Sequence, residues 1–252
     1  MIKKLGTFAL LILSLSAFAQ QTEPEPAQPA ATQPTKRYAR PDIPGTFVVE
    51  IGVNSALNKP TGFDLGFWGS RTMNIYYQYE MRILKSRMSF VPGIGFSLER
   101  FKFKNNTTLR IEDDDSLKMI NSATYGKSIR KSSLVTNYIE IPLELRFSTR
   151  PNDPNRSFKA AVGFRVGYLY DAFTKVKYRE DGETKKIKDN QNYRLTRFRY
   201  GVYAKVGAGN ISVFANYNLT PMFETGKGIG LRGGVAADDF NTFTIGISFA
   251  SF

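Results

Sequence analysis

The stretch Tyr138–Phe147, YIEIPLELRF, decides the fold. Taken at every second residue it places Ile139, Ile141, Leu143, Leu145 and Phe147 on one side, and Tyr138, Glu140, Pro142, Glu144 and Arg146 on the other. That is the two-residue period of a β-strand with one apolar and one charged face. The period alone does not say which face looks inward.

Outward from this stretch the same alternation recurs. Phe47, Val49, Ile51 and Val53 give a first strand, and Met73 to Ile83 a second. Phe90 to Leu98 give a third, and YIEIPLELRF, extended back to about Ser133, is the fourth. Phe158 to Tyr170, Phe198 to Val206, Ile211 to Leu219 and Phe243 to Phe249 complete eight. Pro92 and Pro142 each remove a ladder donor, so a bulge or local weakness is expected there. Short connections (Leu84–Arg87, Thr149–Ser157, Gly207–Asn210) alternate with long ones (Asn54–Arg71, Lys104–Lys131, Lys175–Tyr193, Pro221–Asp239). Membrane-threading meanders put all long loops at one end. The predicted fold is all-β, an eight-stranded antiparallel up-and-down transmembrane β-barrel.

Three features orient the faces. The strands reach the 9–11 or so residues that a tilted bilayer crossing needs, whereas soluble strands run to about 5–6. Tyr77, Tyr79, Phe147, Phe158, Tyr168 and Tyr170 lie near strand ends on the apolar faces, where aromatic belts meet headgroups. The polar faces carry both signs of charge: Glu50, Glu80, Glu99, Glu140, Glu144 and Asp171 with Arg82, Arg146, Arg165, Arg197, Arg199 and Lys205. An eight-stranded barrel is just wide enough for its own side chains. There, acids and bases can neutralise one another, interleaved with glycines, and an unpaired charge would cost several kcal/mol. These twelve residues are therefore the expected lumenal charge network, with Ile139 to Phe147 facing lipid. Two other readings stay open: a narrow porin-like channel, and a soluble lipocalin-like carrier whose apolar face lines a ligand pocket. Detergent dependence separates the second.

The N-terminus fits export. Met1–Lys4 is a basic head, Leu5–Phe18 an apolar run, and Ala17-Phe18-Ala19 a small-x-small cleavage site, so residues 1–19 read as a signal peptide. Residues 20–45 hold Pro24, Pro26, Pro29, Pro34, Pro41 and Pro44 among Gln, Ala, Glu and Thr, a composition too poor in apolar surface to order itself. They read as a disordered periplasmic leader, and residues 46–252 as the barrel. With no cysteine, lipid anchoring through a thioether and disulfides are both excluded. The formal charge of +13 becomes +11 once Lys3 and Lys4 leave with the signal. For an exported chain this basicity points to outer-membrane lipid and lipopolysaccharide, not nucleic acid. The mean hydropathy of −0.30 accords with the lack of any further apolar run long enough for a membrane helix. A monomer is expected.

YIEIPLELRF, AAVGFRVGYLYDAF (Ala160–Phe173), the terminal TFTIGISFASF and the signal ending before Gln20-Gln21 together resemble the PorT-like outer-membrane β-barrels of the Bacteroidetes. The resemblance spans roughly Thr46 to the end. It implies an outer-membrane location and an association with other envelope or secretion proteins. One departure is that Phe252 falls on the opposite parity from Phe249, where membrane barrels commonly end on the lipid-facing set.

Little here supports catalysis. Without His or Cys the usual proton shuttle, thiol nucleophiles and most transition-metal sites are missing. Glu140 and Glu144 could work as a carboxylate pair, but structural ion pairing is the commoner reason for such clusters. GIGLRG at Gly228–Gly233 has no strand before it or helix after it and is a chance match to a dinucleotide fingerprint. EDDD at Glu112–Asp115 lacks the glycine and distal glutamate of a calcium loop. No catalytic residue, metal site or cofactor is assigned. In the third long loop, Lys175, Lys177, Arg179, Lys185, Lys186 and Lys188 are candidate contacts for lipopolysaccharide phosphates.

Overall fold

The computed structural model describes residues 45–58, 63–112, 117–224 and 240–251. The signal peptide, most of the Pro-rich leader, Asp113–Asp115 of the acidic tip, GIGLRG and Phe252 lie outside the described residues.

Eight strands close a ring. In chain order the strands are β1 (Thr46–Ala56), β2 (Arg71–Gln78), β3 (Met81–Arg82), β4 (Met88–Phe103), β5 (Thr108–Ile111), β6 (Leu117–Ile120), β7 (Ser128–Ser148), β8 (Phe158–Glu180), β9 (Glu183–Asn190), β10 (Phe198–Ala208), β11 (Ile211–Asn218) and β12 (Thr242–Ala250). Each of β1, β2, β4, β7, β8, β10, β11 and β12 pairs antiparallel with the next, and β1 pairs with β12 to close the ring. All polar edges of the barrel are thereby satisfied inside the wall, as hydrocarbon requires. The expected eight-stranded meander is the fold.

Alternation places the faces. Along β7, Glu140, Pro142 and Glu144 are buried while Ile139, Ile141, Leu143 and Leu145 are exposed. The outward face carries two aromatic girdles about an aliphatic band. Phe47, Tyr77, Phe147, Phe158 and Phe249 ring the short-turn end, and Phe96, Tyr168, Tyr170, Phe198 and Phe243 the long-loop end. Bands of this kind are about 25 Å tall and match the hydrocarbon core.

Three departures from plain alternation matter. Between β4 and β7 the ladder lapses from Gly93-Ile94 to Ile141-Pro142 without a change of register, where the Pro142 ring leaves no N–H to donate. Between β7 and β8 a bulge falls at Tyr170, for Tyr138 faces Leu169 but Asn137 faces Asp171. The third long loop is no loop. β8 continues to Glu180 and turns through Asp181-Gly182 into β9, and both turn residues have positive φ (51° and 81°), the two-residue hairpin turn that Asp-Gly favours.

Candidate functional site

The inward faces meet along the barrel axis, and their side chains reach across it. Glu50 on β1 receives Arg165 from β8 at 2.9 Å and Lys205 from β10 at 2.8 Å, while Asn74 on β2 donates to it at 2.9 Å. Lys205 also reaches Glu144 on β7 at 3.2 Å, which in turn holds Arg146 at 2.7 Å and the Tyr203 hydroxyl at 3.1 Å. Nearer the loops, Arg199 on β10 bridges Glu140 at 2.7 Å and Glu99 on β4 at 2.8 Å, and donates to Ser97 at 3.0 Å. The Tyr76 hydroxyl closes a further bond to Glu140.

Glu50 and Glu144 are wholly buried, so pairing is what makes their ionisation tolerable in the interior. Glu50, Glu99, Glu140 and Glu144 balance Arg146, Arg165, Arg199 and Lys205 one for one. Aromatic faces insulate the cations: the Arg165 guanidinium lies 4.1 Å from the Tyr203 ring centre and that of Arg199 lies 3.5 Å from Tyr138. Residue 163 is glycine beside this ring: a Cβ there would clash with Tyr203 Cζ, so the ring would have to move.

Above the charges the lumen changes character. Phe101, Phe103, Leu134, Tyr138 and Leu169 on the strands pack with side chains from all four long connections. These are Phe63 and Leu65 from the first, Leu109 and Leu117 from the second, Tyr193 and Leu195 from the third, and Met222, Phe223 and Phe240 from the fourth. Phe63 stands edge-on to both Phe240 (4.7 Å) and Phe103 (5.3 Å). This apolar cap closes the loop end. Among the described residues, the cavity at the turn end, beside Glu144, Arg146 and Lys159, measures about 30 Å³, and the one under the cap, beside Glu99 and Arg199, about 10 Å³. Each has room for about one water.

The sequence-predicted charges divide. Glu50, Glu99, Glu140, Glu144, Arg146, Arg165, Arg199 and Lys205 come together in the lumen, and Glu80 joins from the rim, 2.8 Å from Arg146. Three do not. Arg82 keeps lumenal parity but lies past the rim, exposed, and donates to Asn152 in the neighbouring turn at 2.9 Å. Asp171 is turned out of the lumen by the Tyr170 bulge and accepts from Asn137 at 3.1 Å. Arg197 is exposed, beside a groove shared with Asp171 and Asn192. What alternation undervalued is the uncharged half of the lumen. Tyr76, Tyr138 and Tyr203 sit on the polar faces but serve as partners of charge, and Asn54 accepts from Thr72 at 2.6 Å and Thr244 at 2.9 Å.

Of the six candidate phosphate contacts, Lys175, Lys177, Lys186 and Lys188 share the outward face of the β8–β9 hairpin. Lys185 lies on the other face, opposite Tyr178, and binds Glu180 at 2.8 Å. Arg179 near the tip donates to the Gly182 carbonyl at 3.2 Å. Among the described residues no three acidic side chains gather as a metal cage.

A closed antiparallel ring, buried polar side chains on its inward face and an apolar outward band between aromatic girdles define an integral outer-membrane β-barrel. The family model described as outer membrane protein beta-barrel domain matches residues 18–226, and the chain belongs to that family, whose place is the cell outer membrane. Among solved structures the chain is similar to Ail, the attachment invasion locus protein of Yersinia pestis. The crystal structure of Ail alone is 16% identical over 82% of this chain and 97% of that one, with a TM-score of 0.34. Ail in complex with the heparin analogue sucrose octasulfate is likewise 16% identical, over 82% of this chain and 99% of that one, with a TM-score of 0.33. No curated protein matches the chain by sequence.

Proposed function

We propose that this protein is a non-enzymatic envelope component: a closed scaffold that acts through its extracellular long loops or its periplasmic Pro-rich leader, as an accessory of protein secretion or envelope integrity. In this reading residues 1–19 are removed on export, residues 20–45 hang in the periplasm, and the PorT-like resemblance of the strand motifs supplies the secretion link. The lumenal charges are structural cross-braces. What supports this reading is that, among the described residues, inward-facing ion pairs and an apolar cap border cavities of about 30 and 10 Å³. Neither pore traffic nor a substrate pocket fits such an interior, so recognition falls to surfaces.

The test is electrical. Reconstituted into planar bilayers, the protein should stay silent, and a steady single-channel conductance would overturn the closed-scaffold reading in favour of a narrow porin-like channel. A deletion strain with normal secretion, adhesion and envelope permeability would remove the accessory role, and a pull-down from native outer membranes identifies the partner if there is one.

A further inference from the structure

Beyond the loop-end girdle the outward face of β4, β7, β8 and β9 continues past the aromatic belt, and its register sorts charge. One row runs Lys102, Ser133, Lys175, Lys188 across the four strands. The next runs Lys131, Lys177, Lys186 across three. Neighbouring strands are about 4.8 Å apart, and like charges directly opposite one another destabilise a sheet. The hairpin's acids do not relieve this. Glu180 and Glu183 face each other on the opposite surface, where Glu180 ties down Lys185 and Lys127, and Asp189 sits there too, opposite Thr174. Among the described residues, none of the six ladder lysines has a carboxylate partner. The ammonium of Lys186, with Lys131, Lys175 and Arg100 behind it, holds Lys177 below the usual lysine range.

The place of the ladder says what would neutralise it. Lys188 lies 3.8 Å over the ring of Phe173, the outward aromatic just above the bulge. The first row begins two residues further along β8, about 7 Å by strand rise. That is headgroup level, immediately outside the aromatic belt. The lysines also share the face that meets lipid lower down. An anion reaching them therefore stands against the barrel wall.

We infer that this two-row lysine ladder binds the phosphate groups of a phosphorylated glycolipid of the outer leaflet. The inference rests on the long loops facing outside, as proposed above. Lysines act as point charges toward phosphate, so several around one headgroup suit it without a fixed fork geometry.

The experiment uses the full mature protein with phosphatidylcholine vesicles carrying diphosphorylated lipid A or its dephosphorylated counterpart. It compares K177Q/K186Q with K127Q/K185Q, which removes equal charge from the opposite face. Retention of diphosphorylated lipid A should fall roughly 20-fold in the first and stay near wild type in the second. Wild type should also prefer the phosphorylated lipid. Equal loss in both doubles, no loss in either, or equal retention of dephosphorylated lipid overturns the site. If K177Q/K186Q instead loses binding of a soluble sulfated polysaccharide while keeping lipid A, the ladder belongs to a glycan partner and the lipid assignment fails. Heat-modifiable migration on gels checks that each variant is folded. Channel recordings read the closed-scaffold proposal separately, because these lysines lie outside the lumen.

Discussion

The lumen is built of two materials. Its lower and middle part is held by ion pairs between strands, and its loop end by aromatic and aliphatic contacts between loops. Charge-assisted bonds are short and directional, so they need donors and acceptors held in register. Glu50, Arg165 and Lys205 have this, because each sits mid-strand in a closed ring. Phe63, Leu109, Tyr193 and Phe223 come from four separate connections that stand outside the closed ring, and apolar contact is indifferent to small errors of angle. Each adhesive is used where the backbone can support it. The closure at one end is therefore stiff by geometry, and at the other compact by exclusion of water.

The largest effect should come from breaking the stiff part. Glu50→Ala removes the only ion-pair partner of Arg165 among the described residues and one of the two of Lys205. A buried cation left unpaired costs about 3–5 kcal/mol, and this variant belongs at the upper end. Reversible urea unfolding in lipid vesicles measures it, and a loss below about 1 kcal/mol would mean that water or rearranged carboxylates replace Glu50 readily. Phe63→Ala comes next, at about 3 kcal/mol for a truncated buried ring. Its signature differs, since the loop end should become open to protease while strand amides keep their protection. Strands and loops losing protection together would show one cooperative lumen, and the two-material picture would fail.

How much of this was legible in the sequence follows the same division. The strands announced themselves because one face had to be apolar and the other had to balance charge, so Glu140, Glu144, Arg165 and Arg199 could be placed from parity alone. Parity failed at Asp171, because a bulge spends two residues on one face and leaves no compositional mark at Tyr170. For Arg82 parity was right and the height was wrong: alternation has no term for where the rim lies. Nothing periodic marks the cap, though apolar residues such as Phe63, Leu65 and Phe223 in otherwise polar connections were a readable hint of it. The β8–β9 hairpin carried an explicit Asp-Gly signal, hidden by strands so rich in Lys and Glu that they read as a solvated loop.

The smallest effect tests the comparison from outside. Glu180 and Lys185 pair at 2.8 Å, a distance typical of the lumenal bonds, but in water. Hydrogen bonds from Lys185 and then Lys127 hold the Glu180 carboxyl below its ordinary range. A group whose folded value is lowered adds stability above its unfolded value and gives it up as pH falls through the folded one. Acidification should therefore loosen the tip of the hairpin, seen as faster amide exchange around residues 179–184, with no change in urea unfolding of the barrel. Lys185→Gln should move that transition upward toward an ordinary glutamate, whereas Lys177→Gln, on the other face, should leave it in place. If Glu180→Gln shifted global unfolding as Glu50→Ala is expected to, burial and register would not be what separates the two kinds of pair, since solvent screening leaves exposed pairs worth little.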